Sequence, residues 1–193
     1  MRWLTLYTRS RQVPASLAAV LIGAAAVWAS VARDGGGGPA DPRTPVFVLV
    51  AGVTAASIGL GGQDLALDRT AAIRWRPRRA AHVLLIGAVV GAVLLAVGAT
   101  TDIDPVAPEF VLRDSAGLTG LVALGAVVCG APYAWTPAVV WLSFSVFAPP
   151  PTNAPMEVAT WMLLPPGTPA ATWTALALAV TGVTVYALAG PRR

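Results

Sequence analysis

Six stretches of this chain are apolar and close to the ~20 residues a helix needs to cross ~30 Å of hydrocarbon. They cover residues 15–32, 46–62, 80–99, 115–132, 133–148 and 170–190, and none carries a charged side chain near its middle. The mean hydropathy is +0.69 and charged residues make up 11% of the chain. Soluble domains of this length do not hold such long unbroken apolar runs. The expected fold class is therefore all-α: a polytopic membrane protein with six transmembrane helices forming a single domain over residues 1–193.

Charge placement orients the expected bundle. If the N-terminus is cytoplasmic, the inner segments hold ten arginines: Arg2, Arg9, Arg11, Arg69, Arg74, Arg76, Arg78, Arg79, Arg192 and Arg193. The outer loops then hold only Arg33, Arg43 and Arg113, against seven of the nine acids. Short loops biased in this way face the cytoplasm, so both termini are expected there. The formal +4 divides into +8 inside and −4 outside, a membrane signature that gives no reason to invoke nucleic acid. Arg2, Arg9 and Arg11 ahead of an apolar run ending in Ser30-Val31-Ala32 also suit a secretory signal peptide, but the length of the run favours a retained span.

Residues 1–13 are expected to form an amphipathic interfacial helix. At ~100° per residue Trp3, Leu4, Leu6 and Tyr7 share one side and Arg2, Thr5 and Arg9 the other, so Arg2, Trp3, Tyr7 and Arg9 would anchor it among lipid headgroups. The loop at 63–79 is longer than a connector requires. Asp64 can cap a short helix with Leu65, Leu67 and Ala71 on its apolar side, Pro77 stops regular structure before the third span, and five arginines cluster nearby. Gly87 and Gly91 in the third span, and Gly117, Gly120 and Gly125 in the fourth, allow close helix approach. His82 decorates the inner end of the third span. Arg113 and Asp114 are placed at the outer boundary, Asp114 favouring the N-terminal dipole of the helix it begins. Pro132 and Pro137 mark a tight turn leading into a short fifth span. In the segment 149–169, Asn153 caps a helix with Pro155 and Glu157 in its first turn, and Pro165-Pro166 ends it. That segment is too short to cross and should lie in the outer interface or dip in and return.

Much chemistry is excluded by missing parts. All 13 basic residues are arginine, so a P-loop of the usual form, which needs lysine, is impossible here. There is no His-Glu-x-x-His, no Gly-x-Ser-x-Gly and no metal-ligand cluster, and the sole histidine has no serine partner at membrane depth. An ion-coupled carrier would need intramembrane carboxylates or unwound polar sites. The lone Cys129 excludes a disulfide framework, and its small neighbours Gly125 and Gly130 suggest a packed small hydrophobe. The chain is not expected to be an enzyme.

The leading amphipathic helix, six spans, long second inner loop and outer segment between spans five and six together resemble the membrane (permease) subunits of compact six-helix ATP-binding-cassette exporters. The strings Asp68-Arg69-Thr70-Ala71-Ala72 and Arg113-Asp114-Ser115-Ala116-Gly117-Leu118-Thr119-Gly120-Leu121 are similar to actinobacterial proteins of that type. The arginine-only, Ala/Val/Gly/Pro-rich composition likewise suits a GC-rich bacterial source. The resemblance implies a multi-pass protein of the bacterial cytoplasmic membrane, paired with an identical or related permease subunit and engaged by cytoplasmic ATPases. ATP and magnesium would be bound in those partners, with no cofactor in this chain. It makes the helix around Asp64, Leu65, Leu67, Asp68 and Arg69 the coupling helix and residues 2–10 the connecting helix. Trp135, Trp141, Ser143, Ser145, Thr172 and Thr174, the polar side chains of spans five and six, are the candidate wall of a path for an apolar or amphipathic cargo such as an antibiotic, peptide or lipid. The alternative is a non-transporting scaffold or immunity protein within a larger membrane complex.

Overall fold

The computed structural model describes residues 43–61, 75–99 and 107–192, and every regular element among them is helical. Helix α1 (Arg43–Ser57) continues through a 3-10 turn at Ile58–Leu60, followed by α2 (Trp75–Ala99) and α3 (Pro108–Val128). A 3-10 turn at Ala131–Tyr133 leads into α4 (Thr136–Phe147), then α5 (Ala154–Ala159), a 3-10 turn at Trp161–Leu163, and α6 (Pro169–Ala189).

Four of these have the length and apolarity to cross a bilayer: α1 with its 3-10 extension, α2, α3 and α6. They correspond to the second, third, fourth and sixth expected spans. The first expected span lies outside the described residues. The fifth is not among these four: α4 has 12 residues, about 18 Å of helix against a hydrocarbon core of about 30 Å. Two boundaries also move. Pro77 lies within the described part of α2, which runs from Trp75, so it does not stop regular structure before the third span. Helix α3 begins at Pro108 rather than near residue 115, with Glu109 favouring its N-terminal dipole.

Helix α3 is the hub, packed against α1, α2, α4 and α6. It runs antiparallel to α2, with Gly87 opposite Thr119 and Gly91 opposite Ser115. A methyl built on Gly87 would stand 2.8 Å from Thr119 Oγ1, and one on Gly91 would stand 3.1 Å from Ser115 Oγ. Those hydroxyls donate along their own helix, Thr119 to the Ser115 carbonyl at 2.6 Å and Ser115 to that of Leu112 at 3.2 Å, so close packing strands no polar group. Against α6, α3 runs parallel and closer still. The backbone of Leu178 occupies the space of a Cβ at Gly120, and the Gly120 carbonyl occupies that of a Cβ at Gly182. Helices meet this tightly when packing, rather than the hydrophobic effect, must hold them together.

Near the C-terminal ends of α1, α3 and α6, polar ties collect. Tyr186 donates its buried hydroxyl to the Leu60 carbonyl at 2.8 Å. The Arg192 amide donates at 2.9 Å to the Ala126 carbonyl, which the end of α3 would otherwise leave open, and the Ala131 amide donates to the Arg192 carbonyl at 3.1 Å. The guanidinium of Arg79 lies beside Gly190 at the end of α6. Outward faces of α2 and α6 stay apolar, with Leu84, Leu85, Trp173, Leu176, Val180 and Leu188 exposed. Helices apolar on both inner and outer faces suit a lipid surround.

Candidate functional site

The segment between α4 and α6 forms a strap across the end of the bundle where α3 and α6 begin. Its start follows local rules: Asn153 accepts a hydrogen bond from the Met156 amide at 3.0 Å, with a proline at the start of α5 and Glu157 in the first turn, as expected from the sequence. The chain then turns inward. Trp161 and Met162 are both wholly buried. The indole lies on Gly117, where an added methyl would stand 2.5 Å from Trp161 Cη2 and 3.0 Å from Ala175 Cα. Gly117 is nine residues past the start of α3, about 14 Å along the axis.

Two groups fasten the strap. On the α4 side, Trp141 Nε1 donates to the Ala159 carbonyl at 2.7 Å, and Ser145 Oγ, shared with the Trp141 carbonyl at 3.0 Å, reaches the same oxygen at 3.2 Å. On the α3 side, Arg113 donates through Nη2 to the Leu164 carbonyl at 2.8 Å and through Nη1 to that of Pro165 at 3.1 Å. Its Nε pairs with Asp114 Oδ1 at 2.8 Å, and the guanidinium stands 5.0 Å from the centre of the Phe110 ring. The fork of donors allows one side chain to hold two carbonyls and a carboxylate at once.

Arg113 and Asp114, expected at the outer boundary ahead of the fourth span, lie within the first third of α3 and are buried there. Asp114 is the seventh residue of α3, and neither its side chain nor that of Arg113 is exposed beyond 7%. An ionisable pair inside a span faces the bundle interior because lipid would not solvate it. Asp114 Oδ2 and Trp161 Nε1 are buried with no hydrogen-bond partner among the described residues. The sequence signal for this pair is its placement five and six residues after Pro108, a helix-starting proline that sets the start of α3 ahead of residue 115.

The six candidate path residues are not gathered into one wall. Trp141 and Ser145 meet at the Ala159 carbonyl. Trp135 is exposed and donates to the Pro132 carbonyl at 3.1 Å. Ser143 and Thr172 are also exposed, and Thr174 is half-buried; each donates within its own turn, to Val139, Thr168 and Ala170 respectively. The coupling residues Asp64, Leu65, Leu67, Asp68 and Arg69, and the anchoring residues Arg2, Trp3, Tyr7 and Arg9, lie outside the described residues. Cys129, expected to be packed, is exposed just past the end of α3. Among the described residues no group of three His, Cys, Asp or Glu side chains could hold a metal ion.

No family model, curated protein or solved structure matches this chain.

Proposed function

We propose that this chain is a membrane-spanning subunit of an ATP-binding-cassette-type exporter. In this reading it lies in a bacterial cytoplasmic membrane, and a separate ATPase drives the passage of an apolar or amphipathic cargo. The observation that carries the reading is the strap. A segment that turns back onto the bundle before the last helix matches the outer segment between spans five and six that the sequence resemblance implies, whereas the short α4 departs from that family's pattern. The charges within the described spans also support an outside source of work. Asp114 is paired with Arg113, which also holds two backbone carbonyls and faces the Phe110 ring, so the one buried carboxylate among the described residues is not isolated as an ion-coupling site would be.

The test is co-purification and transport. The tagged chain, purified from its native membranes in mild detergent, should retain a cytoplasmic ATPase and stimulate its turnover. Replacing Asp64–Ala72 with a Gly/Ser linker should abolish the stimulation. Failure to retain any ATPase, or a rate unaffected by the linker, would refute the proposal.

The glycine-mediated contacts of α3 with α2 and α6 favour a second reading, a non-transporting scaffold or immunity subunit, because polar side chains of the expected path are satisfied within single turns. That reading expects partner retention without ATP-dependent cargo movement in sealed vesicles.

A further inference from the structure

We propose that the strap is a movable outer cover and that Arg113 and Asp114 form its latch. Its two halves are attached differently. Residues 154–159 are tied to α4 through the Ala159 carbonyl, which receives both Trp141 Nε1 and Ser145 Oγ, so they travel with that helix. Residues 161–165 are held to α3 and α6, by the Trp161 indole seated on Gly117 beside Ala175 and by Arg113 on the carbonyls of Leu164 and Pro165. Between the strap and α6 stands Gly167, at φ 87° with nothing within 4 Å of a Cβ placed there. Open space and a left-handed backbone make it a natural joint.

Closure leaves the latch incompletely satisfied. Asp114 Oδ2 and Trp161 Nε1 are both buried without a hydrogen-bond partner among the described residues. A buried ion pair built for stability alone would fill its remaining lone pairs, because desolvation otherwise offsets the attraction. Here both bare atoms gain partners once water enters, which offsets part of the loss when Arg113 lets go. Closed and open arrangements then differ by few groups, as a switching element requires. Opening would uncover the apolar seam of Gly117 and Ala175 between α3 and α6. Use of that seam as a cargo outlet rests on the transport reading; the latch itself rests on packing alone.

The test uses the full chain in lipid vesicles, with Cys129→Ser as background and a small water-soluble maleimide as probe. Met162→Cys reports on the underside of the strap, and Val53→Cys, wholly buried in α1, reports on the rest of the bundle. Arg113→Gln should speed labelling at Met162→Cys at least tenfold and leave Val53→Cys protected. Asp114→Asn should give a smaller rise. Arg113→Lys, which keeps the charge but loses the fork, should fall between Arg113→Gln and the parent. Unchanged labelling at Met162→Cys in Arg113→Gln would overturn the proposal. So would a parallel rise at Val53→Cys, since the pair would then be holding the whole bundle. Neither readout involves cargo or ATP, so failure of the transport reading registers separately in the vesicle transport assay.

Discussion

Substituting alanine at Gly182 tests whether α3 and α6 meet backbone to backbone. The added methyl would fall within the space of the Gly120 carbonyl, carbon and Cα. A flexible side chain could swing aside, but a helical backbone cannot, so relief requires the two helices to part along their seam. Overpacking in a well-packed core costs about 1–3 kcal/mol, and the upper end applies when the obstacle is rigid. Against this stands the intrinsic preference of a helix for Ala over Gly, about 1 kcal/mol. The net expectation is a loss of about 1–2 kcal/mol. Gly98, near the end of α2, is the internal control, because a Cβ there meets nothing within 4 Å among the described residues. Only propensity remains at that position, so Gly98→Ala should stabilise by about 0.5–1 kcal/mol. Reversible unfolding in mixed micelles, followed by circular dichroism, gives both values in one assay. A Gly182→Ala protein as stable as the parent would refute the close parallel packing of α3 and α6.

Three further substitutions probe individual ties. Tyr186→Phe removes the hydroxyl that serves the buried Leu60 carbonyl and should cost about 1–3 kcal/mol in the same unfolding assay, the cost of leaving such a group bare. Trp141→Phe and Ser145→Ala each leave the Ala159 carbonyl with one donor, so each should cost about 0.5–1.5 kcal/mol; the double variant should lose more than the sum, read as a coupling energy in a double-mutant cycle. Asn153→Ala removes the cap of α5 and should weaken that helix by about 0.5–2 kcal/mol, seen as faster amide exchange over residues 154–159 with α1 and α3 unaffected.

The parts of this fold that were legible in the sequence are those governed by local patterns. Long apolar runs gave α1, α2, α3 and α6 their approximate places, and Asn153, Pro155 and Glu157 marked the start of α5 because capping depends on only a few neighbouring residues. Gly87 and Gly91 were recognisable as a close-contact surface, but their partners Ser115 and Thr119 were not, since pairing depends on helix register. The depth of Arg113 and Asp114 was misjudged for a related reason. Along the sequence a charge marks the end of an apolar run, whereas tertiary contacts with the Leu164 and Pro165 carbonyls hold it within α3. Cys129 shows the opposite error: small neighbours along the chain suggested packing, yet it sits exposed beyond the last turn of α3. The role of Trp141 was equally hidden, because its acceptor lies eighteen residues away on the strap.

Sidedness of α3 is the most direct test of a bundle that crosses the membrane through its hub. Glu109 is exposed in the first turn of α3 and Cys129 is exposed just past its last, about 30 Å apart along the helix axis. An impermeant thiol reagent applied to intact cells should label Glu109→Cys in a Cys129→Ser background, and should reach the native Cys129 only after the membrane is opened. Labelling of both positions from the same side would contradict a transmembrane α3 and the arrangement built around it.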